Sequence, residues 1–160
     1  MIWKPNVVVA AIAERDGRFL LVEEEADGNL VLNQPAGHLD EGESLLDAVA
    51  RETLEETACH FEPEALVGVY RWMHPEKRVT YIRFAFCGRV TREESGRALD
   101  RGIVRSLWLT PDEIRAERAR HRSPLLETTL RDYLADKRYP LELLKDIDSA
   151  APFSSAVSAR

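Results

Sequence analysis

Four glutamates, Glu43, Glu52, Glu55 and Glu56, fall within fourteen residues, behind a loop that holds two glycines, Gly37 and Gly42. At about 100° per residue, a helix through this segment brings Glu52, Glu55 and Glu56 into an arc of about 100°, while Leu46, Val49, Ala50 and Leu54 centre on the other side. One face is then core and the other a carboxylate cluster. Glu52 forms like-charge pairs with Glu55 at i,i+3 and with Glu56 at i,i+4, each costing an isolated helix about 0.2 to 0.5 kcal/mol. No lysine interleaves, and Arg51 is the only nearby cation on the helix. Two explanations fit the spacing: a solvated acidic face, common on Glu-rich helices, or a bound hard divalent ion, which takes oxygen ligands. Magnesium keeps several waters and shares its shell with phosphates, so the second explanation brings a phosphate-bearing substrate with it. The glycines favour the second, because backbone turns sharply or approaches a ligand closely where they sit.

The full spacing is Gly37, five residues, Glu43, seven residues, Arg51-Glu52, two residues, Glu55-Glu56. This resembles the Nudix box, which here covers Gly37 to Cys59. The pattern departs from the family where it usually has an aliphatic residue, at Thr53 and Cys59, and where it usually has Gly, at Ala58. A left-handed residue after a helix costs a side chain other than Gly about 1 kcal/mol, so either the helix ends differently or the strain is tolerated. The resemblance implies a Nudix fold, a mixed β-sheet in an α/β/α sandwich, and hydrolysis of a phosphoanhydride. By position it implies that Glu52 and Glu56 ligate metal, that Glu55 ligates metal or activates water, and that the Gly37 carbonyl joins the shell. Arg51 would orient the site by pairing with Glu43. Water attacking a diphosphate must lose a proton, and the anionic transition state needs positive charge nearby.

Three flanking segments, Asn33-Gln-Pro-Ala-Gly-His-Leu, Arg122-Ser-Pro-Leu and Arg138-Tyr-Pro-Leu-Glu142, resemble those of a bacterial subgroup of Nudix phosphatases. That likeness implies a magnesium enzyme, with manganese able to substitute, acting on hydroxymethylpyrimidine pyrophosphate, thiamine pyrophosphate and nucleoside di- and triphosphates with release of orthophosphate. Two other readings compete with it. One is a pyrophosphohydrolase that splits nucleoside triphosphates into monophosphate and pyrophosphate. The other is a ligand-sensing module without catalysis, against which stands the presence of every box glutamate.

Five further residues are candidates for substrate contact. Trp72 and His74 end a strand and could stack on a heterocycle, although core or rim packing is the plainer role. His38, inside the box loop, could reach phosphate or stay solvated. Asp100, in the loop Leu99 to Ile103, could be a second base or an added ligand. Arg83 could meet a phosphate, but an outward-facing strand arginine is the default. Trp108 reads as core, and Cys59 and Cys87 as chemically silent.

The elements that must position these groups can be read in part. Val7 to Ala13 and Phe19 to Glu23 flank Asp16-Gly17, a strong hairpin signal. Ala26-Asp27-Gly28-Asn29 marks a second turn before the short strand Leu30 to Leu32, and Gln34 to Gly37 reads as the start of a loop. The box helix runs from Ser44 to about Thr57, with Ser44 as cap and Asp47 as a weak capping-box partner. Ala65 to Trp72 and Val79 to Val90 are strands about a turn centred on Pro75, and Leu107 to Leu109 is a short strand. Thr110-Pro111 opens a helix, and another runs from Pro124 to about Ala135. Strands without regular helix alternation exclude a doubly wound parallel sheet and point to a mixed one.

A chain of 160 residues, 44% hydrophobic and with a formal net charge of −6, suits one domain and disfavours partners that need a nucleic-acid backbone neutralised. Two cysteines without ligand spacing argue against a disulfide framework or zinc. No apolar run reaches the roughly 20 residues of a membrane helix. The expectation is a cytoplasmic enzyme with no nucleic-acid or membrane partner, a small diphosphate or nucleotide as substrate, and a monomeric or homodimeric state. Residues 1–148 would form the domain and 149–160, rich in Ser and Ala, a loosely held tail.

Overall fold

The computed structural model describes residues 1–147. The tail expected over 149–160 lies outside the described residues. The apolar N-terminal run forms strand β1 (Asn6–Arg15), buried on both sides from Val8 to Ala13. It turns through Asp16 and Gly17, both at positive φ (52° and 74°), into β2 (Arg18–Ala26). That is the two-residue hairpin turn which Asp-Gly favours, because its twist matches that of the strands. The β1–β2 ladder is short, with Glu14 opposite Phe19 and Arg15 opposite Arg18. Beyond it β2 pairs with β3 (Asn29–Asn33), reached through a second Asp-Gly turn, and with β7 (Ile103–Leu109). Meanwhile β1 pairs in parallel with β6 (Thr80–Glu93), which pairs antiparallel with β5 (Cys59–Met73). The sheet is mixed, as expected.

Side chains alternate between two cores. Val9, Ala11 and Ala13 of β1, Leu20 of β2 and Phe86 of β6 pack with Ala48 and Val49 of α1 (Leu45–Thr57). Ile12, Phe19, Leu21, Ala85 and Cys87 pack with Ile114 of α2 (Pro111–Ala116) and with Leu126 and Leu130 of α3 (Leu125–Leu134). Period-2 alternation places these sets on opposite faces, which makes the α/β/α sandwich. Each fully buried Leu or Ile contributes about 1.5 to 3 kcal/mol relative to exposure. No helix among the described residues is long and apolar enough to cross a membrane.

Several elements differ from the sequence reading. Ala36 to His38 form a short strand, β4, antiparallel to β1 with Gly37 opposite Val9, where a loop was expected. Three residues are too few to show a period; the partner strand decides. Strand β5 begins at Cys59, well before the expected Ala65, and β6 ends at Glu93, past the expected Val90; β5 carries Pro63 and Gly68 at register shifts, where a bulge accommodates a missing donor or side chain. Strand β7 starts at Ile103 instead of Leu107. At the start of α1, Ser44 Oγ accepts from the Asp47 amide (3.1 Å) and donates to the Asp47 carboxylate (2.8 Å), so Asp47 does not reach back to the cap amide. At its end Ala58 is left-handed, φ 61°, and its N–H donates to the Leu54 carbonyl. The strain is tolerated there.

The burial of α1 is broader than its apolar stripe. Ala50 and Leu54 are only half-buried, whereas Glu52, Thr53, Glu56 and Thr57 are buried. Thr53 and Thr57 donate their hydroxyls to the carbonyls of Val49 (2.7 Å) and Thr53 (2.6 Å), which lets hydroxyl side chains stand in the core.

Candidate functional site

Arg51 is the hub of the box. Its Nε and Nη2 donate to the two oxygens of Glu43 (3.0 and 2.7 Å), and Nη2 also reaches the His38 carbonyl (3.0 Å). Its Nη1 lies 3.0 Å from both Glu52 and Glu55. The fork ties the loop to the helix. Glu43, hydrogen-bonded to Arg51, has its carboxyl held below the usual range, and Arg51 is held firmly charged, chiefly by Glu43.

The three helix carboxylates do not meet at one point. Glu52 lies between the other two on the helix surface, and the structure divides them. One oxygen each from Glu52, Glu55 and Asp100 lies within 4.8 Å of the others, the loop being tied by the Asp100 amide to the Glu55 carbonyl (2.9 Å). Glu56 turns inward, where it accepts from the Ala36 amide (2.9 Å). Burial pushes its carboxyl up to about 8, helped by the charges of Glu24, Glu52 and Asp100. Burial raises Glu52 as well, against the pull of Arg51. Arg51, already gripped by Glu43, is a single charge set against both Glu52 and Glu55. Clustered carboxylate oxygens short of counter-charge fit a hard divalent cation. The Gly37 backbone lies against Glu52, at the same place.

Behind these carboxylates opens a cavity of about 660 Å³. His38, Trp72, His74 and Arg83, named from the sequence as candidates for substrate contact, all line it together with Glu52, Glu56 and Gly37. Asp100 stands with the carboxylates, and Glu43 supports Arg51 from behind. Trp72 is stacked on Tyr81 (ring centroids 5.8 Å, interplanar angle 19°), with His74 at 5.3 Å from the indole. This is an aromatic wall.

Arg83 overturns its default reading as an outward-facing arginine. It sits on β6 opposite Val8, is 6% exposed, and donates from Nη1 to Gln34 Oε1 (3.1 Å). Because β6 is covered on both faces, no position on this stretch of it is simply outward. Burial lowers the Arg83 guanidinium to about 10. Trp108 packs at the edge of the first core with the Arg15 guanidinium 4.1 Å above its ring. Glu24, Asn33 and Tyr81 were missed as cavity residues. The available signal for Glu24 was the acidic run Glu23-Glu24-Glu25 continuing directly from the apolar stretch of β2, where Glu24 is buried and paired with Arg122 at 2.6 Å.

Comparison with known proteins agrees with this geometry. Residues 3–129 match the NUDIX domain. The chain is 36% identical over 155 residues to a protein of Escherichia coli K12 named Phosphatase NudJ, covering 97% of this chain and 99% of that one. A solved structure described as a NUDIX hydrolase from Nitrosomonas europaea is 51% identical, with a TM-score of 0.90, over 92% of this chain and all of that one. A MutT NUDIX hydrolase from Burkholderia pseudomallei, 21% identical with a TM-score of 0.69 over 81% of this chain and 98% of that one, shares the fold. With the box, the sandwich and these likenesses together, the chain belongs to the Nudix hydrolase family.

Proposed function

We propose that this protein is a magnesium-dependent phosphatase of small diphosphates, acting on hydroxymethylpyrimidine pyrophosphate, thiamine pyrophosphate and nucleoside di- and triphosphates with release of orthophosphate. The observation that carries this reading is the juxtaposition of the Glu52, Glu55 and Asp100 carboxylates with a cavity walled by stacked aromatics and holding the buried Arg83. Similarity over nearly the whole chain to a protein named as a phosphatase supports the choice of activity.

In this reading Glu52, Glu56 and the Gly37 carbonyl would hold the cation, with Glu55 and Asp100 beside them. A divalent cation there would supply charge to the phosphate oxygens and lower the pKa of a bound water. Glu55, a third exposed, has access to water and would act as the base toward it. Arg51 keeps Glu52 and Glu55 aimed, since it grips both from a guanidinium already fixed by Glu43. Arg83 meets the substrate deeper in the cavity, and Trp72 with Tyr81 takes the planar ring.

Phosphorus NMR of the products tests the reading. Incubation of thiamine pyrophosphate, hydroxymethylpyrimidine pyrophosphate and nucleoside triphosphates with magnesium should release orthophosphate from each. Pyrophosphate as the sole inorganic product from nucleotides, or inert thiamine pyrophosphate at concentrations where nucleotides are cleaved, would leave a Nudix hydrolase with a different reaction.

A further inference from the structure

Three buried side-chain polar atoms are left without a hydrogen-bond partner among the described residues: Glu24 Oε1, Asn33 Oδ1 and Arg83 Nε. All three residues line the same cavity, and each is more than nine-tenths buried. Buried polar groups are nearly always paired, so three orphans gathered in one cavity need a reason. Register explains how two of them come together. Val22 of β2 faces Asn33 of β3, so Glu24, two residues along β2, projects from the same face as Asn33. The other ends of two of these groups are anchored, Glu24 Oε2 by Arg122 at 2.6 Å and Arg83 Nη1 by Gln34 at 3.1 Å. What remains unpaired is two acceptors and one donor.

We propose that Glu24, Asn33 and Arg83 form a ring-reading subsite that selects heterocycles bearing an amino group. An exocyclic amino group beside an unprotonated ring nitrogen supplies two N–H donors and one acceptor, which matches the open set. Aminopyrimidines, cytosine and adenine present such an edge. Uracil and hypoxanthine present one N–H and a carbonyl oxygen, which leaves an acceptor unmatched and turns oxygen lone pairs toward a carboxylate. The wall of Trp72 and Tyr81 accepts any planar ring, so discrimination falls to the three polar groups. The subsite rests on the proposed function only for where the phosphates of the same ligand lie.

Titration calorimetry with CMP against UMP, and AMP against IMP, in the presence of magnesium, tests this. None of the four contains a phosphoanhydride, so binding is read without turnover. The amino member of each pair should bind about tenfold more tightly, as in sites whose buried polar groups go unmatched by the wrong ligand. Glu24→Gln should bring both ratios to within about twofold, because a carboxamide can donate as well as accept. Asn33→Ser is the second variant should the first not fold, and it should narrow both ratios in the same direction. Equal affinities within each wild-type pair, no binding of any of the four at millimolar concentration, or unchanged ratios in a folded Glu24→Gln protein would overturn the subsite. If the ratios are as expected but CDP and UDP are both left uncleaved, the subsite stands and the hydrolase reading fails.

Discussion

The carboxylate of Glu52 rests on the bare Cα of Gly37: a Cβ built at Gly37 would lie 2.0 Å from Glu52 Cδ. The glycine is needed for close approach, not for φ, since it sits in the extended strand β4. Gly37→Ala should therefore move Glu52 without unfolding the sheet. A displacement near 1 Å in such a site costs about a hundredfold in turnover. Steady-state rates against magnesium concentration, with circular dichroism as a fold control, check this; wild-type rates in the variant would detach Glu52 from the reaction.

Activity should need a divalent cation, because Glu52, Glu55 and Asp100 gather their carboxylate oxygens in one place, with Arg51 as the cation that grips Glu52 and Glu55. Exhaustive chelation should abolish turnover, and magnesium or manganese should restore it. Full activity after chelation would rule the mechanism out.

Glu56→Gln should lose most activity and still fold, as it keeps an oxygen for the Ala36 amide while removing charge from a buried group. Without metal, the melting temperature should stay level or rise, since repulsion from Glu24 and Glu52 is relieved. Wild-type turnover at low magnesium would remove Glu56 from the site.

Trp72→Ala should raise KM for aromatic diphosphates more than it lowers kcat, because stacking acts in the ground state and the transition state alike. Thiamine pyrophosphate and a nonaromatic diphosphate, compared in wild type and variant, separate the two effects. An equal loss for both substrates would place Trp72 in packing alone.

Glu23 couples the fold to pH. Its carboxylate, 5% exposed, is paired with Arg120 and with Arg105 at 3.1 Å, and the Arg120 hydrogen bond above all holds its pKa below the ordinary value of 4.5. A depressed carboxyl stabilises the fold above its unfolded pKa, and that stability is lost as pH falls through the folded value. Glu23→Gln should cost about 1 to 2 kcal/mol at neutral pH. Urea melts from pH 7 to pH 3 should show the gap to wild type closing below about 4.5; a constant gap would mean that the ion pairs contribute nothing.

The box was legible because its carboxylates are spaced by helix geometry, which is local: Ser44 to Thr57 carries its own period and its own cap. The Asp16-Gly17 and Asp27-Gly28 hairpins were legible for the same reason, since two residues set each turn. By itself the sequence determined the helix, the turns, the family resemblance and the chemistry the glutamates could perform. Only the tertiary structure decided that Glu56 turns away to Ala36 while Asp100, 44 positions later in the chain, takes its place beside Glu52 and Glu55. It also decided that Arg83 faces a cavity, that Ala36 to His38 is a strand, and that Glu24 and Asn33 share its floor. Each of those outcomes depends on which strand pairs with which, and in which register. A period-2 pattern names two faces but cannot say what covers either of them until the partner strands and helices are in place.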